Sequence, residues 1–252
     1  MKYSREQRSE LRKRDIATTR AYNTGFSSTQ TYSTQTLSTD DEDTGPVFFW
    51  REYEQPYGSL CQWYSSPFVA PQVHPTHVFG CAEQYMMYRK ALVLATPPEP
   101  EDPDSANTGG VKIQPKERHK GTRTADAEKG ERENLPNRIL SESKPGRQKS
   151  LAQSVKFSHA QFKEWERIKF DVVFEGSLLK FSQNQELKAQ LLATGIRELV
   201  EASPMDRTWG IGCAAEFAES CREEWGSNLL GKALMSVRES LKAEAEAVVD
   251  TG

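Results

Sequence analysis

The stretch HAQFKEWERIKFDVVFEGSLLKFSQN, His159 to Asn184, places apolar residues at Phe162, Trp165, Ile168, Val172 and Val173. Steps of three and four residues line one stripe of a helix, which repeats every 3.6 residues. Directly after it, NQELKAQLLATG predicts a second helix, with Leu187, Leu191 and Leu192 on one face and Gly195 as its stop. Further on, SNLLGKALMSVRESLKAEAEA is the clearest amphipathic helix of the chain. Leu230, Leu234, Val237 and Leu241 recur at helical spacing, and Ser227 or Asn228 can cap it. Upstream, HPTHVFGCAEQYMMYRKALVLA predicts a helix from near Cys81 to Pro97, with Glu83 in its first turn, where the helix dipole favours a carboxylate. Glu83 and Lys90 are seven residues apart, two turns, and so share a face. Strand signals are fewer: VFFWREY after Pro46, then the proline-interrupted LCQWYSSPFVAP, which reads as an irregular or edge strand.

Two segments do not read as packed structure. Residues 1–45 are a charged start followed by Ser, Thr and Gln and the acidic run Asp40–Asp43, a tail with too little apolar surface to offset the entropy of ordering it. Residues 97–137 are polar and rich in Pro, Gly and charge, an insertion into the domain spanning 46–245. The composition agrees. Hydrophobic residues make up 36% of the 252, against a globular norm of about 45–50% that also counts glycine. A net charge of −3 provides no overall basic field to attract nucleic acid or an anionic membrane. Four cysteines without CxxC spacing argue against a zinc ribbon and fit reduced thiols. With no apolar run of membrane-spanning length and no secretory leader, the expected location is cytoplasmic, or nuclear.

Chemistry concentrates in polar residues set among apolar ones. Leu199 to Cys213, LVEASPMDRTWGIGC, carries Glu201, Asp206 and Trp209, with Pro204, Gly210 and Gly212 shaping a loop that starts inside the core. CAEQYMMYRKA and SLLKFSQN add Glu83, Lys90 and Lys180. Such charges are costly to bury unless paired, so mutually neutralising pairs are one reading. A cleft for a polar ligand with a flat ring, walled by Trp165 and Trp209, is the other. A zinc site at His74, His77 and Cys81 lacks an evident fourth ligand. A Cys213 nucleophile would need a histidine, for which only His159 is near in sequence. The GIG at Gly210–Gly212 lacks the dinucleotide-binding glycine pattern.

In this order, AEQYMMYRKA, KFSQN, LVEAS-x-x-D-x-x-WG and NLLGKALM-x-VR resemble the NADAR family, the YbiA-like N-glycosidases, from about Pro46 to Leu241. The resemblance implies a mainly α (α+β) fold, a single multihelical domain with a small β element. It also implies hydrolysis of the bond between ribose C1′ and a nitrogenous base. The implied substrate is a phosphoribosylamino-pyrimidine of riboflavin biosynthesis or ADP-ribosylated guanine. The partner is thus a small nucleotide or an ADP-ribosyl group, free or carried on nucleic acid, with no membrane and no cofactor. By motif match, Glu83, Lys90 and Asp206 are the catalytic positions, and Trp165, Lys180, Glu201, Trp209 and Gly210 the substrate-binding ones. Carboxylates can stabilise a cationic sugar or activate water, and an indole can stack on a base. Lys90 either orients carboxylates, contacts phosphate, or attacks C1′ to form a Schiff base. A non-catalytic ADP-ribose or nucleotide reader is the alternative.

Overall fold

A computed structural model describes residues 45–97 and 125–250. The expected tail, up to residue 44, and residues 98–124 of the expected insertion lie outside them. The chain divides into two compact units, one of residues up to Cys61 plus Thr194–Lys232, the other of Gln62–Ala193 plus the residues from Ala233 on.

The first unit is built on two parallel strands, β1 (Val47–Phe49) and β4 (Leu199–Glu201), in register Val47 to Leu199 and Phe49 to Glu201. Val47, Phe49, Leu199 and Val200 are buried, which explains their continuous apolar sequence. Val200, Ala202, Ile211, Cys213 and Ala218 form a core, flanked by Phe48 and Trp225. A short helix, α6 (Ala215–Ala218), runs into a 3-10 turn at Glu219–Glu224. The last helix, α7 (Leu229–Asp250), makes its first turn here and continues in the other unit, where Ala233, Leu234, Val237 and Leu241 are buried as the amphipathic pattern predicts. Cys213 is joined to Cys221 in a disulfide, where the sequence reading had reduced thiols; Cys61 and Cys81 are buried thiols. The eight-residue separation had no recognisable motif, and α6 is what brings the two together.

The second unit is organised around α1 (Ala82–Ala95), against which α2 (Ala125–Ser141), α3 (Pro145–Ser154) and α4 (His159–Gln183) pack. α5 (Gln185–Leu192) follows α4, and β2 (Phe68–Val69) pairs with β3 (Val78–Phe79) as a minimal antiparallel ladder. Residues Ala82 to Tyr88 of α1 are all buried, so no amphipathic stripe marks this central helix. Order returns at Ala125, well before the expected Arg138. The Leu135 and Ile139 side chains, one turn apart on α2, are fully buried. The polar composition and Pro136 hid that helix from the sequence reading.

α4 begins with a capping box, Ser158 accepting from the Gln161 amide and Gln161 Oε1 accepting from the Ser158 amide at 2.9 Å. Trp165, Val172 and Val173 of its expected stripe are buried, whereas Phe162 is half exposed. Gly195 ends the α5 segment at φ +63°, the left-handed turn expected of it. Among the described residues no helix is long and apolar enough to cross a membrane.

Candidate functional site

In the second unit the candidate residues collect on α1 and the elements around it. The helix has no side-chain cap; the Glu83 amide, one of its orphan first-turn donors, instead gives a 3.0 Å hydrogen bond to the Gln62 carbonyl. The Glu83 side chain is 3% exposed. Lys90, two turns on, is half-buried with its ammonium 5.1 Å from the Phe157 ring centre and 5.8 Å from that of Trp165. Burial lowers its pKa first of all; the Glu83 carboxylate opposes this, and Lys149 adds a smaller lowering. Lys90 thus loses its proton more readily than an ordinary lysine. Trp165 is itself buried, so its indole forms a wall of the Lys90 environment.

Lys180, on α4, is 1% exposed, its ammonium 5.0 Å from the Phe181 ring and 5.6 Å from the Tyr64 ring. Lys180 and Glu83 act on the Cys81 thiol with opposite signs, behind the larger effect of burial. Burial pushes that thiol up to about 11, which makes Cys81 a poor nucleophile and metal ligand. The two residues after Lys180–Phe181–Ser182 hold the sheet. The Gln183 side chain pairs with the Val69 backbone, its Oε1 accepting from Val69 N at 2.9 Å and its Nε2 donating to Val69 O at 2.8 Å, and the Asn184 side chain donates to Pro67 O and Lys180 O. His74 and His77 join a cluster of rings with Phe79 and Tyr88, and the His74 Nδ1 accepts from the His77 amide. Among the described residues no group of three or more His, Cys, Asp or Glu is placed to hold a metal ion.

In the first unit the loop after β4 is knotted to the start of α7. Asp206 Oδ1 accepts from the Thr208 and Trp209 amides, each at 2.8 Å, an Asx turn that fixes the loop. The carbonyls of Thr208 and Trp209 accept in turn from Leu229 and Leu230, whose amides are orphan donors of a helix N-terminus. Gly226 and Ser227 donate to Ile211 and Arg207 in the same knot. Gly210 is required by close approach, since a Cβ there would lie 2.6 Å from Glu201 O. Trp209 and Asp206 are half-buried, and Glu201 holds the Ile211 amide with its carbonyl.

Asn228 was read only as a helix cap. Its side chain bridges the strand instead, Nδ2 donating to Leu199 O at 2.9 Å and Oδ1 accepting from Glu201 N at 3.1 Å. It does so from a left-handed backbone, φ +48°, that asparagine tolerates better than most residues. The signal was present in the sequence: an Asn before the helix and a Gly three residues on. A Cβ at Gly231 would meet Leu199 O at 2.0 Å, so the glycine lets helix and strand touch.

Helices gathered on a buried central helix, with two minimal sheets and a carboxylate and a desolvated lysine on one helical face, define a mainly α class of domain with a polar site. The solution structure of the Escherichia coli protein YbiA shares this fold at a TM-score of 0.50 and 21% identity, covering 80% of this chain and 88% of that one. The NADAR domain model matches residues 48–242, and the chain belongs to that family. The N-glycosidase R617 of Acanthamoeba polyphaga mimivirus is 54% identical over 77 residues, 30% of this chain and 45% of that protein. The protein irg-1 of Caenorhabditis elegans is 34% identical over 170 residues, 67% of this chain and 63% of its own length. The chain thus spans less than two thirds of either relative.

Proposed function

We propose that this protein is a hydrolase that breaks the N-glycosidic bond between ribose C1′ and a nitrogenous base. The supporting observation is the α1 face: a buried carboxylate, Glu83, and a desolvated amine, Lys90, two turns apart with aromatic rings beside the amine. Family membership and the N-glycosidase name of R617 point the same way. The substrates proposed are a phosphoribosylamino-pyrimidine of riboflavin biosynthesis or ADP-ribosylated guanine.

In the proposed reaction the neutral Lys90 amine adds to C1′ of the ring-opened sugar. The Glu83 carboxylate takes the proton that the lysine nitrogen gives up on addition and passes it to the base nitrogen as the C1′–N bond breaks. What remains is a lysine imine of the sugar, and water adds across it to release the aldehyde and restore the amine. Trp165, whose ring lies 5.8 Å from the Lys90 ammonium, is the proposed contact to the flat base. Gly210 and Glu201 shape the loop that carries Asp206. Lys180 has the burial of a residue that balances the Glu83 charge.

The test is chromatographic detection of released base from both substrates. The expected result is release from one of them by the wild type and a loss of more than about 100-fold in kcat for Glu83→Gln with circular dichroism unchanged. Binding of ADP-ribose in a calorimeter, unaffected by Glu83→Gln and with no base released, would assign the chain as a reader instead.

A further inference from the structure

α4 is entered through a phenylalanine that its cap holds in place. Ser158 is the N-cap of the capping box, so Phe157 is the residue just before the cap and Phe162 the fourth of the helix. Their rings meet edge to face, 6.3 Å between centres and 71° between planes, the apolar staple that fixes how a chain enters a helix. The same ring adjoins α1. The Lys90 ammonium stands 5.1 Å from the Phe157 ring centre, nearer than to that of Trp165 at 5.8 Å. Trp165 is 7% exposed and offers a ligand only a strip of its indole, whereas Phe157 is half-buried and Phe162 is 51% exposed. The two phenylalanines thus leave an aromatic corner open beside a desolvated amine.

In a near-attack geometry a reacting carbon stands about 3–3.5 Å from its nucleophile. A base bonded to C1′ is one bond beyond that, so a ring that stacks on the base has to adjoin the amine, as Phe157 does. We propose that Phe157 contacts the flat base of the N-riboside, sharing it with Trp165, and that Phe162 holds the Phe157 ring for that contact. This rests on the reading of Lys90 as the residue that meets C1′. The ligand class is a planar purine or pyrimidine joined to ribose, since a ring face rewards any flat π-system and reads no particular base edge. A staple alone needs only an apolar side chain of like size at position 157. A base contact needs a ring.

Calorimetry on the full chain with guanosine 5′-monophosphate, uridine 5′-monophosphate and ribose 5-phosphate tests this, the last being the same sugar without a base. The wild type is expected to bind at least one nucleotide more tightly than the sugar phosphate. Phe157→Leu, which keeps the staple, and Phe157→Ala then weaken nucleotide binding about tenfold and leave ribose 5-phosphate unchanged, whereas Phe157→Tyr keeps the wild-type Kd values. With a substrate that releases base, Phe157→Leu raises KM by a similar factor at little-changed kcat. The proposal is overturned if no nucleotide binds better than the sugar phosphate, if Phe157→Leu binds like the wild type, or if nucleotide and sugar phosphate weaken together. A change in kcat and its pH profile at constant KM overturns it too, since the ring would then act on Lys90 alone. Failure of the wild type to release base from either substrate sinks the hydrolase reading, and the calorimetry still decides the role of Phe157.

Discussion

At the scale of single residues, Asn228 shows how much one amide can do. It completes the edge of a two-stranded sheet, bonding the amide of Glu201 and the carbonyl of Leu199 on the strand that leads into the Asp206 loop. Replacing it with alanine leaves both groups buried without partners and keeps a left-handed backbone angle that alanine resists. Asn228→Ala is expected to lower stability by about 1–3 kcal/mol in urea unfolding. A change within a few tenths would mean that the bridge contributes nothing. The glutamate and lysine of α1 are a different kind of residue: their burial weakens the domain, and only chemistry or pairing justifies it.

At the scale of elements, helices are fastened at their ends by glutamine side chains, which carry a donor and an acceptor on one flexible stem. Gln84 gives its amide to the carbonyls of Ile139, Leu140 and Glu142 at the end of α2 and accepts from the Gly80 amide. Gln161 reaches from α4 to Leu94 O and Thr96 O at the end of α1. The α1–α4 contact itself depends on Gly176, where a Cβ would lie 2.6 Å from the Tyr85 ring. That ring cannot retreat: Tyr85 is fully buried, its hydroxyl bonded by Arg89, which also pairs with Glu175 at 2.5 Å. Gly176→Ala would gain about 1 kcal/mol of helix propensity, but the overlap costs about 1–3 kcal/mol, and the overlap should win. A lowered thermal midpoint, partly recovered by adding Tyr85→Leu, is the expected outcome; a raised midpoint would contradict the packing.

Helices were legible where one face met the core. The stripes of α4 and α7 and the glycine after α5 could be read directly, because half of each helix is solvated and the alternation is visible. α1 was read from the helical spacing of Ala82, Tyr85, Met86, Arg89 and Ala91 and from the stop at Pro97, although its first two turns are buried all round. α2 was lost because two buried side chains, Leu135 and Ile139, carry its packing. Glutamine gave no warning, being an ordinary helix former whose reach across to another element has no signature in one sequence. Of the candidate site, the shared helical face of Glu83 and Lys90 was legible from spacing, and their proposed roles came from the family resemblance. The aromatic partner Phe157 was not, since only the fold brings the link between α3 and α4 beside α1.

At the scale of the whole molecule, two units built from interleaved stretches of chain each carry part of the motif set: Glu83, Lys90, Trp165 and Lys180 in one, Glu201, Asp206, Trp209 and Gly210 in the other. Each unit explains its polar residues locally. Asp206 and Gly210 tie a loop to a helix start, and Lys180 lies deep against the rings of Tyr64 and Phe181. Lys90 stands apart: it is partly desolvated, its ammonium lies over the rings of Phe157 and Trp165, and it makes no ion pair among the described residues. The most direct measurement is therefore borohydride reduction of the full chain during turnover of a phosphoribosylamino-pyrimidine and of ADP-ribosylated guanine, followed by peptide mapping. A reduced sugar adduct on Lys90, absent from Lys90→Met and formed with the substrate that releases base, is expected. Base released at full rate with no adduct, or with the adduct on another lysine, would contradict it.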